Sequence, residues 1–155
     1  MRYVACARGG ANVITLAKSL CEASPAERVS LIRNGVPISQ ITDLSEAMHV
    51  SRERLLKLLN MPKGLFRRKD CQEATLSAEL SERVIGLLRL IGQVAAIVDE
   101  SGSPQQFDAA RWMGEWLEQP ILALQGGTPG DYMDTLTGQA LVSSLLLQSQ
   151  AGVFG

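Results

Sequence analysis

The sequence predicts an all-α protein, and three observations support that fold class. Apolar residues recur at spacings of three and four along most of the 155 residues, which is the period of an amphipathic helix. Serines that favour helix N-termini precede several of these segments, at Ser24, Ser51 and Ser77. No segment shows the alternating apolar and polar pattern of a half-buried strand. A composition of 46% hydrophobic and 20% charged residues fits a soluble globular protein with a hydrophobic core.

The first two helices can be delimited from the residues at their ends. A stripe of apolar residues predicts a helix over residues 12–22. Ser24 and Glu27 then have the spacing of a capping box, with Pro25 at the first helical position. This second helix is expected to end at Gly35, because glycine readily adopts the backbone conformation that terminates helices.

Three shorter helices are expected to follow. Ser39 is expected to cap a helix over about residues 40–48. Ser51 is expected to cap the next helix, over residues 52–59, whose four leucines point inward and whose basic residues point outward. A proline can occupy the first turn of a further helix, over residues 62–69.

The helices over residues 52–59 and 62–69 are separated by a tight turn, which is the pattern of a helix-turn-helix unit. The second of them is expected to enter the major groove of DNA as the recognition helix. The candidate DNA-binding residues are basic, apart from one glycine: Arg52, Lys63, Gly64, Arg67, Arg68 and Lys69. The alternative for this segment is a solvated basic face within a small helical bundle.

Charge is distributed unevenly along the chain. Residues 50–70 contain seven basic and two acidic residues, whereas residues 99–155 contain seven acidic residues and one basic residue. No charged side chain follows Asp134. Segregation of this kind predicts that the basic segment faces a polyanion and that the second half has another task. The overall net charge of −1 argues against a protein that coats nucleic acid along its whole length.

Ser77 is expected to cap a long helix that ends near residue 100. Along it runs a seam of apolar residues that packs in the core or forms part of a dimer interface, and the two are not exclusive: Leu80, Val84, Leu87, Ile91, Val94 and Val98. The stretch 99–104 is the clearest linker, and we place the domain boundary there. The first region is therefore residues 1–100, for DNA binding and dimerisation, and the second is residues 101–155.

The second region is also predicted to be helical. A helix over residues 104–117 places Trp112 and Trp116 one turn apart, which is the usual spacing of core or interface anchors. Either Thr135 or Thr137 is expected to cap the last helix, which ends near residue 150.

Cysteine and histidine residues are too few and too scattered to predict a metal site or a catalytic centre. Cys6, Cys21 and Cys71 include no closely spaced pair, and His49 is the only histidine. The cysteines are expected to be reduced and buried in a cytoplasmic protein. The sequence shows neither the apolar stretch of a signal peptide nor a segment that could span a membrane. We therefore expect no cofactor, no metal and no enzymatic activity.

Seven short motifs follow one another in a specific order and spacing: Gly35-Val36-Pro37-Ile38-Ser39, Leu65-Phe66-Arg67-Arg68-Lys69, Leu76-Ser77-Ala78-Glu79-Leu80-Ser81-Glu82-Arg83, Ala109-Ala110-Arg111-Trp112-Met113, Gly126-Gly127-Thr128-Pro129, Leu136-Thr137-Gly138 and Gly152-Val153-Phe154-Gly155. Through these motifs the chain resembles the MbcA/ParS/Xre family of antitoxins, which are partners of RES-domain toxins. The resemblance covers roughly residues 31–155.

The resemblance implies an N-terminal Xre-like DNA-binding region and a C-terminal toxin-binding region. It also implies that the end of the chain approaches the active site of the toxin, where NAD would otherwise bind. In that arrangement the toxin acts on NAD and the antitoxin is not an enzyme. The candidate toxin-binding residues are then the last turns of the chain: Leu147, Gln148, Gly152, Val153, Phe154 and Gly155. Phe154 would serve as an aromatic anchor and Gly155 as a free carboxylate.

An antitoxin of this kind is expected to repress its own operon as a homodimer, because paired recognition helices read half-sites about 34 Å apart. Its expected partners are a RES-domain toxin and operator DNA. The alternative function is a stand-alone helix-turn-helix repressor whose C-terminal region only dimerises or binds a small ligand.

Overall fold

Seven α-helices dominate the structure, a computed structural model that describes residues 10–66, 74–102 and 107–153. They are α1 (Gly10–Glu22), α2 (Pro25–Asn34), α3 (Ser39–Met48), α4 (Arg52–Leu58), α5 (Ala78–Glu100), α6 (Ala109–Trp116) and α7 (Leu136–Val153). Two short 3₁₀ helices, Leu122–Leu124 and Pro129–Tyr132, lie between α6 and α7. These ranges contain no strand, only an isolated bridge between Pro37 and Thr75, and the predicted all-α fold class is confirmed.

The predicted helix starts are confirmed by the hydrogen bonds of their capping side chains. Ser24 Oγ accepts a hydrogen bond from the Glu27 N–H (3.2 Å), and the Glu27 carboxylate accepts one from the Ser24 N–H (3.1 Å). Ser51 and Ser77 cap α4 and α5 through one bond each, accepting from the N–H of Arg54 (3.1 Å) and of Leu80 (3.3 Å). Each cap satisfies a backbone donor that the helix leaves unpaired, which is typically worth ~1 kcal/mol. Gly35 follows the last residue of α2 with a φ of 88°, as expected.

Ser39 is not a cap, contrary to the prediction, but the first residue of α3. Ile38, which precedes it, already has helical dihedral angles and makes no capping bond through its side chain. The Ile38 N–H donates to the Ala74 carbonyl (2.9 Å), and the Leu76 N–H donates to the Val36 carbonyl (2.8 Å). This pairing with a distant segment holds the chain at the start of α3, and no local pattern in the sequence indicates it.

The prediction of a helix over residues 62–69 is wrong for residues 62–66, the part that the structure describes. Residues 62–66 form turns, which contain one backbone hydrogen bond, from the Leu65 N–H to the Pro62 carbonyl (3.2 Å). Gly64 opposes helix formation here, because glycine is about 1 kcal/mol less favourable than alanine inside a helix. The remainder of the expected helix lies outside the described residues.

In the second region, α6 starts later than predicted, and the structure decides which of the two predicted threonines caps α7. α6 begins at Ala109, later than expected, because the Asp108 side chain accepts a hydrogen bond from the Arg111 N–H (3.1 Å) and caps the helix there. Thr135 is the cap of α7, since its hydroxyl accepts from the Gly138 N–H (3.0 Å). Residues 103–106, where the longer helix was expected to start, lie outside the described ranges.

α5 lies at the centre of the fold and contacts α1, α2, α6 and α7. The middle of its predicted seam is buried and the two ends, Leu80 and Val98, are partly buried against the same core. The seam therefore packs inside the subunit, which is the first of the two predicted alternatives. One cluster of buried apolar side chains includes residues from all seven helices, so both predicted regions share a core. The boundary at residues 99–104 stays a prediction.

Cys21 is exposed on α1, contrary to the expectation that the cysteines are buried. Its thiol donates to the Arg89 carbonyl (3.0 Å), and desolvation by its surroundings raises its pKa, against smaller opposite effects of Arg89 and Arg28. Cys6 and Cys71 lie outside the described residues. Within those ranges no three histidine, cysteine or acidic side chains are grouped for a metal ion, and no helix is long and apolar enough to cross a bilayer.

Candidate functional site

The helix-turn-helix in the described part of the chain is formed by α3 and α4. Three residues join the two helices, and the first of them, His49, adopts the left-handed conformation (φ 57°) that ends α3. The Val50 N–H then donates to the Ser45 carbonyl (3.0 Å), and Ser51 caps α4. A link of this length between two helices is characteristic of the motif. This unit lies one helix earlier than the pair that the sequence interpretation chose, whose second helix is not formed over residues 62–66.

α4 has one face on the core and one face in solvent. Its inner side carries the four leucines that were predicted to point inward, and all are buried: Leu55, Leu56, Leu58 and Leu59. Arg52, Glu53 and Lys57 are exposed. Because the second helix of such a motif enters the major groove with its N-terminal residues towards the bases, the start of α4 is the candidate DNA-contacting end.

Three of the predicted DNA-binding residues lie in the described part of the chain, and one of them, Arg52, is at this end of α4. The Arg52 guanidinium lies 4.7 Å from the centre of the Phe66 ring, a cation–π contact that folds the turn after α4 back towards its first residue. Lys63 and Gly64 are exposed in that turn. The other three candidates lie outside the described residues: Arg67, Arg68 and Lys69.

Two further basic residues of α4 belong to the candidate DNA-binding surface, although sequence reasoning does not single them out. Lys57 is exposed on the outer face of the helix. Arg54 is half-buried, and its Nε donates to Glu118 Oε1 at 2.7 Å. The signal that would have found both is Ser51, a cap that closely follows the preceding amphipathic helix. Glu118 is 64 residues away in sequence, so no local spacing indicates this ion pair.

α7 is the second candidate surface, and it is about 27 Å long at the usual 1.5 Å rise for its 18 residues. Val142, Leu145 and Leu146 pack against the core. Leu141 and Leu147 remain exposed, with 39% and 54% of their surface accessible. Two of the predicted toxin-binding residues, Leu147 and Gln148, lie in this part of the helix, and both are exposed. The other predicted residues lie at or beyond the end of the helix: Gly152 and Val153 continue it, and Phe154 and Gly155 lie outside the described residues.

Polar side chains fasten α7 to α5. The Gln139 amide donates to the carbonyls of Arg83 and Met133, both at 3.1 Å. One turn further on, Gln93 donates to the Ser143 carbonyl (3.2 Å) and accepts from the Ser143 hydroxyl (2.8 Å). These bonds fix the position and rotation of α7, so its exposed side chains are presented in a defined arrangement.

An open groove of about 790 Å³ runs along α5 between α2 and α7. Apolar side chains on both walls face solvent, namely Val29 from α2 and Leu136 and Leu147 from α7. Exposed apolar patches with a polar surround are typical of protein interaction sites. The groove therefore extends the exposed surface of α7 and has room for side chains of another protein.

Comparison with known protein families gives two matches, one for each region. A family described as the antitoxin Xre-like helix-turn-helix domain matches residues 27–89, which include α3 and α4. A family described as the antitoxin Xre/MbcA/ParS C-terminal toxin-binding domain matches residues 105–152, which include α6 and most of α7. The two candidate surfaces thus fall in two different matched regions.

One curated relative is similar over most of its length. It is the Prs ADP-ribosylating antitoxin of Sphingobium sp. (strain YBL2), and it is 42% identical to this chain over 137 residues. The similarity covers 88% of this chain and 86% of the relative, so it spans both matched regions and the segment between them.

Proposed function

The chain belongs to the Xre/MbcA/ParS family of antitoxins, and from this premise we propose that it neutralises a RES-domain toxin that consumes NAD and that it represses its own operon. Its second region binds the toxin, and its first region binds operator DNA as a homodimer. Both partners place the protein in the cytoplasm.

The observation that carries the toxin half of this proposal is the end of α7. The helix is anchored by Gln139 and Ser143, yet from Leu147 onward its described side chains are exposed. No charged residue follows Asp134, so the exposed end of α7 can enter a cleft without desolvating a charged side chain. The uncharged end of a helix that is fixed to the core in this way is suited to fill a pocket of another protein.

The proposed mechanism is competition for the NAD site of the toxin. Residues 152–155 enter the cleft that NAD would occupy, with Phe154 as the aromatic group that fills it. Antitoxin and NAD then cannot bind the toxin at the same time. Saturating antitoxin therefore keeps NAD out of the active site, and the antitoxin needs no catalytic activity of its own.

The name of the Sphingobium relative refers to ADP-ribosylation of Prs. We extend this to the toxin that the present chain neutralises and propose that it transfers ADP-ribose from NAD to a target. The products then contain free nicotinamide together with an ADP-ribosylated target, which distinguishes transfer from simple hydrolysis.

The DNA half of the proposal rests on the α3–α4 unit. Arg52, Lys57 and Lys63 are exposed at or next to α4, and these side chains can bind phosphates or base edges. One such unit makes few base contacts, so specific repression requires two copies on half-sites about 34 Å apart.

The toxin mechanism is tested by titrating the purified adjacent gene product with this chain while NAD consumption is measured. The full chain is expected to raise the apparent KM for NAD and leave kcat unchanged at saturating NAD. Deletion of residues 153–155 is expected to abolish inhibition while DNA binding persists. Ser144→Ala, on the exposed surface of α7, is the control that alters the same helix without shortening it or adding a charge.

Two outcomes would contradict this mechanism. Inhibition by the shortened chain equal to that by the full chain would exclude occlusion by the last residues. Repression of the operon by a chain that binds no toxin at all would instead favour a stand-alone repressor.

A further inference from the structure

An ion pair connects the helix-turn-helix to the toxin-binding region. Arg54 is the third residue of α4, and Glu118 follows the end of α6. The Arg54 Nε and Glu118 Oε1 atoms are 2.7 Å apart, and the two side chains keep 39% and 51% of their surface exposed. The pair is therefore well formed but open to water and to ligands.

We propose that Glu118 lowers the affinity of this protein for DNA by engaging Arg54, a side chain that would otherwise bind a phosphate. This inference rests on the proposed binding of DNA by α4. It assigns to the toxin-binding region a residue that sets the strength of the other activity.

The first turn of α4 fixes the position of the Arg54 backbone, from which the side chain extends. The Arg54 N–H donates to the Ser51 hydroxyl (3.1 Å), so the first turn of the helix is held in place. Lys57 lies one turn further along, at the spacing that places two side chains on the same face. Arg54 thus lies beside an exposed cation on the helix that is proposed to meet DNA, and a carboxylate lies at hydrogen-bonding distance from its guanidinium.

The ion pair and a DNA phosphate compete for the same guanidinium. A phosphate contact releases a counterion from DNA, and each such contact adds about 0.9 to the slope of log affinity against log salt. While Arg54 is held by Glu118 it does not contribute this term. Exposed ion pairs contribute little to stability, so loss of the carboxylate frees the guanidinium for a phosphate without unfolding the protein.

The test compares Glu118→Gln with Glu115→Gln. Both substitutions remove one negative charge from the end of α6, but Glu115 pairs with Arg111 (3.6 Å) and not with α4. The probe is a random-sequence DNA duplex, because phosphate contacts do not depend on sequence. Glu118→Gln is expected to bind roughly threefold to fivefold more tightly at low salt, with a slope steeper by about 0.9. Glu115→Gln is expected to stay within about twofold of the wild type.

A second pair of variants shows whether the effect acts through Arg54. In the Arg54→Ala background, Glu118→Gln is expected to have no further effect on affinity or salt slope, because the guanidinium that it releases is absent. Thermal unfolding of every variant checks that the fold is retained, which the exposure of both side chains favours.

The possible results separate this inference from the proposed function. If the wild type binds DNA and Glu118→Gln behaves like Glu115→Gln, the inference is overturned and the proposed function stands. A gain that persists undiminished in the Arg54→Ala background also overturns it, because general charge repulsion would then be the cause. If the wild type binds no DNA even at low salt, both the DNA-binding proposal and this inference are overturned.

Discussion

The contact between Gly86 and Gln139 predicts that one substitution will have opposite effects on stability in two backgrounds. Gly86 lies inside α5, where glycine is about 1 kcal/mol less favourable than alanine. A Cβ at this position would nevertheless collide with the side-chain amide of Gln139. To make room, the amide would have to leave the carbonyls of Arg83 and Met133, to which it donates both of its hydrogen bonds.

The magnitude follows from the burial of these bonds. A buried acceptor that loses its donor costs ~1–3 kcal/mol. The bond to Met133 is buried and the bond to Arg83 is partly buried, so displacing the amide should cost about 2 kcal/mol. Subtracting the gain in helix propensity, Gly86→Ala should destabilise the wild type by about 1 kcal/mol. In a Gln139→Ala background it should stabilise the protein by up to about 1 kcal/mol, because nothing remains to collide with.

The assay is urea unfolding of the four proteins of this cycle, followed by circular dichroism. Ala96→Gly, at an exposed position of the same helix, serves as the control that measures the cost of glycine in α5. If Gly86→Ala shifted the free energy of unfolding equally in both backgrounds, the Gln139 amide would not be held as described. The fixed position of α7 would then need another explanation.

Three other predictions concern the surfaces and the exposed thiol. Leu147→Asp is expected to weaken toxin binding at least tenfold without lowering the melting temperature, because the side chain is 54% exposed. Ser30→Asp, which adds the same charge on the exposed side of α2, should bind normally, and equal binding by both variants would remove Leu147 from the interface. Lys57→Ala is expected to reduce the slope of log affinity for DNA against log salt by about 0.9. Lys18→Ala removes the same charge beside Asp99 and should leave that slope unchanged. If Lys57→Ala had the slope of the wild type, a phosphate contact by Lys57 would be excluded. Cys21 is expected to react with iodoacetamide more slowly than free cysteine at pH 8, because desolvation raises its pKa and lowers its thiolate fraction. Peptide mass spectrometry can follow the rate of alkylation across pH, and the midpoint of that curve should lie above the midpoint for free cysteine. A midpoint at or below that of free cysteine would contradict the prediction.

The fold was predictable where the determining signal is local. The caps Ser24, Ser51 and Ser77 and the seam of α5 depend on residues within one or two turns, and the structure confirms them. Ser39 misleads because the start of α3 is set by the pairing of residues 36–38 with residues 74–76, which lie far along the chain. A single sequence contains no record of that pairing.

The candidate site was only partly predictable, for a related reason. Pro62 and the consecutive basic residues near the end of residues 62–69 gave a stronger local signal for a recognition helix than the short link before α4 did. The described part of that segment is a turn, and the motif lies at α3 and α4. The ion pair of Arg54 with Glu118 joins positions that only the tertiary fold brings together.

The close approach of α6 to α3 limits how antitoxins of this kind can recombine. A Cβ on Gly114 would lie 2.5 Å from the Met48 carbonyl oxygen, so the two helices meet with no space for a side chain. A gene fusion that joined the first half of one relative to the second half of another would therefore keep its fold only if both sides of that junction were inherited together. The outward side of α7 is free of this constraint, and drift there would let a lineage acquire a new toxin while its DNA-reading half stayed the same.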